Sequence, residues 1–201
     1  MTLASLRTGH EFARRNKIES VRFVQMNLFM PAIRPRSMDV VISNGVLHHT
    51  YDTRKAFASI VRLVKPGGYV VVGLYNRIGR LRTDLRRLLV KAFGENVLAL
   101  DPQLRRDLSP EKRRAWIRDQ YFHPQERKHS LSEVVRWLDE EGFSFVSSIP
   151  KIIGEFKQDE KLFAPASPGT AFDRMMAEIG MLASTSGGEG GLFICVGQRA
   201  A

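Results

Sequence analysis

Apolar and polar positions follow one another along the chain in an order that predicts strands and helices. Two almost continuous apolar runs, MDVVIS at 38–43 and YVVVGLY at 69–75, are typical of strands that are buried on both faces. Between them, apolar residues from Ala56 to Val64 recur at helical spacing, and PGG at 66–68 ends the helix. Strand, helix and strand in so short a stretch predict a βαβ unit with parallel strands.

The pattern continues on both sides of this unit. Before it, the sequence predicts a helix over 3–16 with Thr2 as its cap, a strand at 21–26 (VRFVQM), and a proline-containing loop. After it come a helix that opens with a capping box at Ser130 and ends at Gly142, and then three more elements. These are a strand at 143–148, a helix at 170–184 and a final strand at 192–197.

A long segment, residues 77–130, interrupts the alternation with helices of its own. The first predicted helix has an apolar stripe, and its basic residues fall outside that stripe, which is typical of a surface helix with its basic side in solvent. The stripe consists of Leu81, Leu85, Leu88, Leu89 and Ala92, and the basic residues are Arg80, Arg82, Arg86, Arg87 and Lys91. A second helix opens with Ser109 as cap and Pro110 at its first position.

Charge is concentrated in the same segment. The chain has a formal net charge of +10, and residues 77–130 contribute 14 Lys and Arg against 7 Asp and Glu, so 14 − 7 = +7 of it. Basic amphipathic helices bind phosphate-rich surfaces, which keeps a nucleic-acid or membrane-surface binding module open as an alternative function. No aromatic series is interleaved for stacking on bases, so we expect no specific nucleic acid and favour a solvated lid over an active site.

Other chemistry has little support in the sequence. The single cysteine, Cys195, lies in the apolar run LFICV and is expected to be a buried small hydrophobe. The five histidines show no ligand spacing, so no metal site is predicted. No apolar run approaches the ~18 residues of a membrane span, and the N-terminus lacks the order of a signal peptide. We therefore expect a cytoplasmic protein without a transmembrane segment.

Four stretches carry a resemblance to a known family: ASLRTGHEFARRN, RFVQMNLF, DVVISNGVLHH and RLVKPGGYVVVGLYN, which span Ala4 to Asn76. In this order they resemble the second half of class I S-adenosylmethionine-dependent methyltransferases, from the helix before the third strand to the fifth strand. The set looks most like the small-molecule branch of methyltransferase type 11. The resemblance implies S-adenosylmethionine as cofactor and methyl transfer to a small molecule.

The resemblance also implies a fold. It is an α/β, Rossmann-like methyltransferase sheet that lacks its first two strands, in a single incomplete domain over 1–201. A helical insertion follows the fifth strand, at about 77–130. The family opens with a glycine-rich turn that approaches the cofactor and an acidic residue for the ribose, and neither is found in this sequence.

Site residues follow from the same resemblance. Asn27 corresponds to the residue that holds the adenine amino group, and Leu28 would pack on the adenine face. Ser43, Asn44 and Gly45 would meet the methionine end of the cofactor. In open parallel sheets, ligands do bind beyond the carboxyl ends of strands. Taken without the family, the same residue types are turn formers or helix caps.

No catalytic residue is assigned, but His49 and Tyr75 are candidates for taking a proton from the methyl acceptor. A base must lie within hydrogen-bond reach of a bound substrate. The alternative is that a histidine of the pair His48 and His49 packs against, or caps, the following turn. Arg86 and Arg87 of the insertion would suit an anionic acceptor, such as a carboxylate or a phosphate.

The absent beginning of the family pattern predicts a truncated chain whose own activity is weak or lost, because methyl transfer depends on aligning donor and acceptor. In the family's sheet, the two absent strands lie between the third strand and the fourth. Residues 38–43 would then form an unpaired apolar edge, which invites self-association. A non-catalytic remnant and one half of a split enzyme remain as alternatives.

Overall fold

A computed structural model of the chain describes residues 3–101, 104–105, 108–122, 125–156, 159–161, 163–183 and 191–201. Thr2, predicted as a helix cap, and residue 184, the predicted end of a helix, lie outside the described residues.

The predicted order of helices and strands is largely confirmed. The helices are α1 (Leu3–Arg15), α2 (Thr53–Val61), α3 (Leu81–Phe93), α4 (Pro110–Phe122), α5 (Leu131–Glu140) and α6 (Ala171–Ala183). The strands are β1 (Met38–Asn44), β2 (Val64–Tyr75), β3 (Phe143–Ile149) and β4 (Leu192–Arg199). Short 3-10 turns occupy Leu47–His49 and Glu95–Leu100.

The four strands form an open sheet in the order β1-β2-β4-β3. β1 and β2 are parallel, as predicted, while β4 runs antiparallel to both of its neighbours. The mixed α/β class is therefore confirmed. Because β1 and β2 are parallel, their carboxyl ends lie at the same edge of the sheet, and both chain segments leave it there.

The main core lies between one face of this sheet and helices α2 and α5. Val70, Val72 and Leu74 point to this face and are fully buried, and the rings of Phe57 and Trp137 pack with centroids 5.7 Å apart. Burial of each such side chain contributes about 1.5–3 kcal/mol relative to exposure. This core fixes the sheet ends on which the site is built.

The predicted strand at 21–26 is wrong. The segment has no strand structure, and Val21 and Val24 are exposed. In the described part of the chain no strand lies beside it, so its backbone groups have no ladder to join. An apolar β-type sequence is not enough to form a strand without a partner.

Burial of β1 on both faces is also wrong, whereas the unpaired edge is confirmed. Among the described residues β1 is the outermost strand of the sheet, so one row of its backbone groups has no neighbouring strand there. Val41 packs against the main core, but Ile42 points to the other face and is 69% exposed. In the described residues, nothing covers this end of that face.

The PGG turn lies inside β2 and not before it. α2 ends at Val61, and Val64 already pairs with Met38. Regular pairing resumes only at Tyr69, opposite Val40, so the residues between Val64 and Tyr69 bulge out of the ladder. Gly67 takes a left-handed φ of 73° in this bulge, a conformation that glycine accepts without strain.

Candidate active site

The predicted cofactor loop after β1 is an open turn. Gly45 has a φ of 73°, its N–H donates to the carbonyl of Gly73 at 3.1 Å, and an added Cβ would meet nothing within 4 Å. Any residue other than glycine would therefore adopt this φ with backbone strain, although its side chain would meet no neighbouring atom. The main chain at this turn is accessible. Ser43 is buried, and Asn44 is exposed with its amide against Gly73.

The second predicted cofactor loop, at Asn27 and Leu28, packs on α2 and the main core. Leu28 packs against the main core, and its carbonyl accepts a hydrogen bond from the Ser59 hydroxyl of α2 at 2.7 Å. The next residue, Phe29, stacks on Tyr51 at 4.4 Å, just beyond the 3-10 turn that follows β1. These contacts pack the second loop against α2 and against the segment that follows the first loop.

Asn27 has the contacts of a turn-forming residue. Its side-chain oxygen accepts the N–H of Phe29 at 3.0 Å, and its carbonyl accepts the N–H of Met30 at 3.1 Å. Such a closed turn is the ordinary structural role of asparagine in loops. Its role at the adenine, like the roles of the other four predicted cofactor residues, stays a prediction.

The two adjacent histidines form a fixed pair beside Tyr75. His48 is fully buried, its ring lies 4.2 Å from the Tyr75 ring, and its Nε2 is 3.1 Å from the Nε2 of His49. The Nδ1 of His49 is 3.0 Å from the carbonyl of Gln125. A carbonyl oxygen only accepts, so this Nδ1 carries a hydrogen. In the neutral ring, the Nε2 of His49 is then the acceptor of a hydrogen bond from His48.

This tautomer changes the interpretation of His49. Its basic nitrogen points at His48, so a methyl acceptor would have to displace that hydrogen bond before His49 could take its proton. His48, buried and packed on Tyr75, has the structural role that the sequence left as the alternative.

Tyr75 ends β2 and is held by two residues of the insertion. Its hydroxyl accepts a hydrogen bond from the amide nitrogen of Gln120 at 2.9 Å, and the guanidinium of Arg80 lies 4.0 Å from the centre of its ring. Arg80 also donates to the amide oxygen of Gln120 at 2.5 Å. Because Arg80 binds the amide oxygen of Gln120, the amide nitrogen must face Tyr75. Gln120 thus holds the hydroxyl of Tyr75, and Arg80 covers one face of its ring.

A buried ion cluster supports this arrangement. Glu126, with 3% of its side chain exposed, accepts hydrogen bonds from Arg80, which is fully buried, and from Arg87, with closest distances of 2.9 and 2.6 Å. Burial alone would raise the pKa of Glu126, but the ion pairs with Arg87 and Arg80 outweigh it and hold that pKa below its ordinary value. The three residues therefore remain charged together in the interior.

The end of the insertion is hydrogen-bonded directly onto the site. The N–H of Arg127 donates to the carbonyl of His48 at 2.8 Å, and the N–H of His129 donates to the carbonyl of Tyr75 at 2.9 Å. These main-chain bonds lay residues 125–129 across the carboxyl ends of β1 and β2. In this structure residues 127 and 129 are bonded to the residues that carry the candidate site, and the role of the whole insertion as a lid stays a prediction.

The insertion's arginines do not match the predicted anion site. Arg86 pairs with Asp101 at 3.4 Å and Arg87 pairs with Glu126. Both arginines therefore form ion pairs within the insertion, which an acidic substrate would have to break. Sequence reasoning missed Arg80, Gln120 and Glu126 as site-supporting residues. In the sequence these three residues are marked only by lying in a segment with charges of both signs. That pattern does not show which of the charged side chains are buried.

Two classes of feature have no counterpart among the described residues. No group of three or more His, Cys, Asp or Glu in this part of the chain is arranged to hold a metal ion. No helix of the described chain is both long enough and apolar enough to cross a bilayer.

Comparisons with known proteins agree with this geometry. A family model described as a methyltransferase domain matches residues 4–72, which include both predicted cofactor loops. An uncharacterised protein of Synechococcus is 25% identical over 172 residues, covering 73% of this chain and 40% of that protein. The chain thus spans less than half the length of the curated relative it matches.

Solved structures share the fold. The chain is similar to PKMT2 from Rickettsia typhi, with a TM-score of 0.67 and 12% identity over 99% of this chain and 42% of that one. It is also similar to the YcgJ protein from Bacillus subtilis, with a TM-score of 0.52 and 15% identity over 100% of this chain and 80% of that one. The match over residues 4–72 and the shared fold support the predicted resemblance to class I S-adenosylmethionine-dependent methyltransferases.

Proposed function

We propose that this chain is the acceptor-side part of a cytoplasmic enzyme that moves a methyl group from S-adenosylmethionine to a small molecule. The observation that carries the proposal is the pair of neighbouring strand ends at one edge of the sheet. The accessible turn at Gly45 follows β1, and Tyr75, which is held by Gln120, ends β2. PKMT2, with the same fold, is also known in complex with S-adenosylhomocysteine.

The residues present fit part of a cofactor site. Gly45 leaves the main chain open for close approach, which suits the methionine end, and Leu28 offers an apolar surface for the adenine. When bound, the cofactor supplies an electrophilic methyl group on a sulfonium. The glycine-rich turn and the ribose-binding acid of the family are not found in this sequence. The proposal is that additional polypeptide supplies them.

The chain's own contribution to the chemistry would be positioning. An acceptor held under residues 125–129 would be shielded from water, and its nucleophilic atom would be kept in line with the methyl group. The proton that the acceptor loses would pass to His49, after release from His48, or to water. The ring of Tyr75 is held in the interior by Arg80 and Gln120, so it would support the site without contacting the acceptor.

The need for additional polypeptide favours a split or truncated enzyme over an inert remnant. The edge of β1 is unpaired in the described sheet, and apolar residues of the neighbouring loops and strands are exposed, which include Val21, Val24, Met26, Val40 and Ile42. Exposed apolar surface of this extent marks a site of association. A remnant that binds no partner would be more soluble without this exposed apolar surface.

Equilibrium binding of labelled S-adenosylmethionine tests the proposal. The 201-residue chain would be compared with a chain extended upstream and with a mixture of this chain and the upstream piece. We expect binding to the extended chain or to the mixture, with a Kd near micromolar, which is about −8 kcal/mol. Binding by the short chain alone would refute the requirement for additional polypeptide. Absence of binding in all three would refute the methyltransferase function.

A further inference from the structure

Helix α3 has its apolar stripe on the outside. Leu81, Leu85 and Leu88 occur at spacings of four and three residues, so they lie on one side of the helix. Their exposed fractions are 52%, 58% and 63%. A helix on the surface of a globular protein normally turns such a stripe towards the core. The orientation of α3 is the reverse of what the sequence predicted.

The reversal is held in place by the opposite side of the helix. Thr83 and Val90 are buried there, and Val90 packs in a small core of the insertion with Leu98 and Tyr121. Arg87 lies on the same side and makes its ion pair with the buried Glu126. Turning the leucines inward would take this arginine away from its partner, so the exposure of the stripe is a fixed feature.

Positive charges flank the exposed leucines. Arg82 and Lys91 lie roughly 90° to either side of the centre of the stripe, given about 3.6 residues per turn. Both are exposed, and neither has an ion pair with another described residue. Phe93 adds an exposed ring at the end of the helix. The outer surface of α3 is therefore apolar along its middle, with Arg82 on one margin and Lys91 on the other, where the nearby Asp84 is already paired with Lys128.

A second exposed apolar surface lies on α6. Its large apolar side chains point outward, and they are Phe172, Met175, Met176 and Ile179. Glu178 of the same helix is buried instead, where its carboxylate accepts the N–H of Leu131 at 2.5 Å. Near the end of α6, Met181 packs beside Gly79, just before α3 begins. Two helices thus present apolar residues to the exterior.

From these features we infer that the outer face of α3 binds the surface of an anionic lipid bilayer. Leucine and aromatic side chains enter the headgroup boundary, while flanking arginine and lysine pair with anionic lipids. Nucleic acid would use the basic residues but would leave the leucines in water. The core of a protein interface is usually depleted of lysine. The inference goes beyond the proposed function and does not rest on it.

The inferred surface lies beside the candidate active site, because α3 begins only six residues after Tyr75. An apolar acceptor dissolved in the bilayer would reach the lid without crossing water. Such a surface would let the enzyme take its substrate from lipid.

Flotation with vesicles tests the inference. The purified 201-residue chain would be mixed with vesicles of phosphatidylcholine alone and with vesicles of equal parts phosphatidylcholine and phosphatidylglycerol. Two double variants remove the two components of the surface, Leu85→Gln with Leu88→Gln, and Arg82→Gln with Lys91→Gln. Ile153→Gln and Arg22→Gln are matched controls, since both residues are exposed and lie outside α3 and α6. Circular dichroism would check that every variant folds.

We expect the chain to float with the anionic vesicles at low salt and much less with the neutral ones. The basic double variant should bind about 30-fold more weakly, at about 1 kcal/mol for each charge near the surface. The leucine double variant should lose at least about tenfold from the smaller apolar burial. Both control variants should bind as the parent chain does.

Four results would overturn the inference. The first is no binding of the parent chain to anionic vesicles, and the second is unchanged binding of the leucine double variant. The third is tight binding to duplex DNA or RNA that the basic double variant abolishes and the leucine double variant leaves intact, which would identify a polyanion site. If the leucine variant only converts an oligomer into a monomer, without any lipid binding, the stripe is a protein interface and the inference also fails.

Discussion

Replacement of Glu126 by glutamine tests whether the buried ion cluster holds the insertion over the site. The carboxylate lies between two guanidinium groups, and only 3% of its side chain is exposed. Removing one partner of a buried ion pair costs about 3–5 kcal/mol, because the remaining charge is left without compensation. Glutamine keeps one oxygen as a hydrogen-bond acceptor, so we expect a loss near the lower limit, about 3 kcal/mol.

The two tryptophans allow the loss to be located. Trp116 lies in α4 of the insertion, and Trp137 lies in α5 on the main core. Urea unfolding would be followed by fluorescence in two single-tryptophan backgrounds, Trp116→Phe and Trp137→Phe. The transition reported by Trp116 should move to lower urea, and the transition reported by Trp137 should move less. Glu111→Gln, at an exposed position in the first turn of α4, is the control for loss of a surface carboxylate.

Acid should reduce the difference between Glu126→Gln and the parent chain. The pKa of Glu126 in the folded chain is below its ordinary value of 4.5, because the two arginines outweigh the effect of burial. A group with a lowered pKa stabilises the fold fully above its unfolded pKa, and this stabilisation is lost as pH falls through the folded pKa. The difference in unfolding free energy should be constant above about pH 5.5 and narrow below 4.5.

A result that refutes this reasoning is easy to recognise. If the glutamine variant unfolds at the same urea concentration as the control variant in both tryptophan backgrounds, Glu126 does not hold the insertion in place. The same follows if the difference persists unchanged at low pH, since a carboxylate effect must disappear when the carboxylate is protonated.

Three further predictions concern the sheet. Ile42→Lys should reduce self-association of the chain in light scattering, because a lysine on an exposed edge strand opposes pairing between sheets; equal association of variant and parent would exclude the β1 edge as the contact. In the chain extended upstream, Gly45→Ala should weaken S-adenosylmethionine binding more than Gly142→Ala does, although both positions have a similar left-handed φ and each should lose about 1 kcal/mol of stability. Cys195 is fully buried, and burial raises the pKa of its thiol, so a thiol reagent at neutral pH should react only after urea unfolds the chain.

Local signals in the sequence predicted most of the elements. The capping box at Ser130 is present in the structure, where its hydroxyl accepts the N–H of Glu133 at 3.1 Å and the Glu133 side chain accepts the N–H of Ser130 at 2.8 Å. The apolar run that became β2 also formed as predicted, apart from its earlier start. These features depend on residues within a few positions of one another, which a sequence pattern can represent.

Features that depend on distant partners could not be predicted in this way. The segment at 21–26 has the composition of a strand, but a strand also needs a neighbour to hydrogen-bond with. Likewise, the periodicity of α3 predicted an apolar stripe without showing which side faces the protein. That side was decided by Glu126, which lies 46 positions after Arg80 and 39 after Arg87. A buried acceptor at that distance leaves no local signal.

The two uncovered surfaces differ in chemistry, and the difference implies two different partners. At β1 the exposed features are unpaired backbone N–H and carbonyl groups beside Ile42, and another β-strand is what satisfies such groups. At α3 the backbone groups are hydrogen-bonded within the helix, and the exposed features are leucine side chains flanked by Arg82 and Lys91. A lipid surface can bury such leucines and pair with such charges without adding a strand. A lysine at Ile42 should therefore reduce association of the chain and leave vesicle binding intact. Glutamines at Leu85 and Leu88 should do the reverse. If either change affected both properties, the two surfaces would have to be parts of one interface.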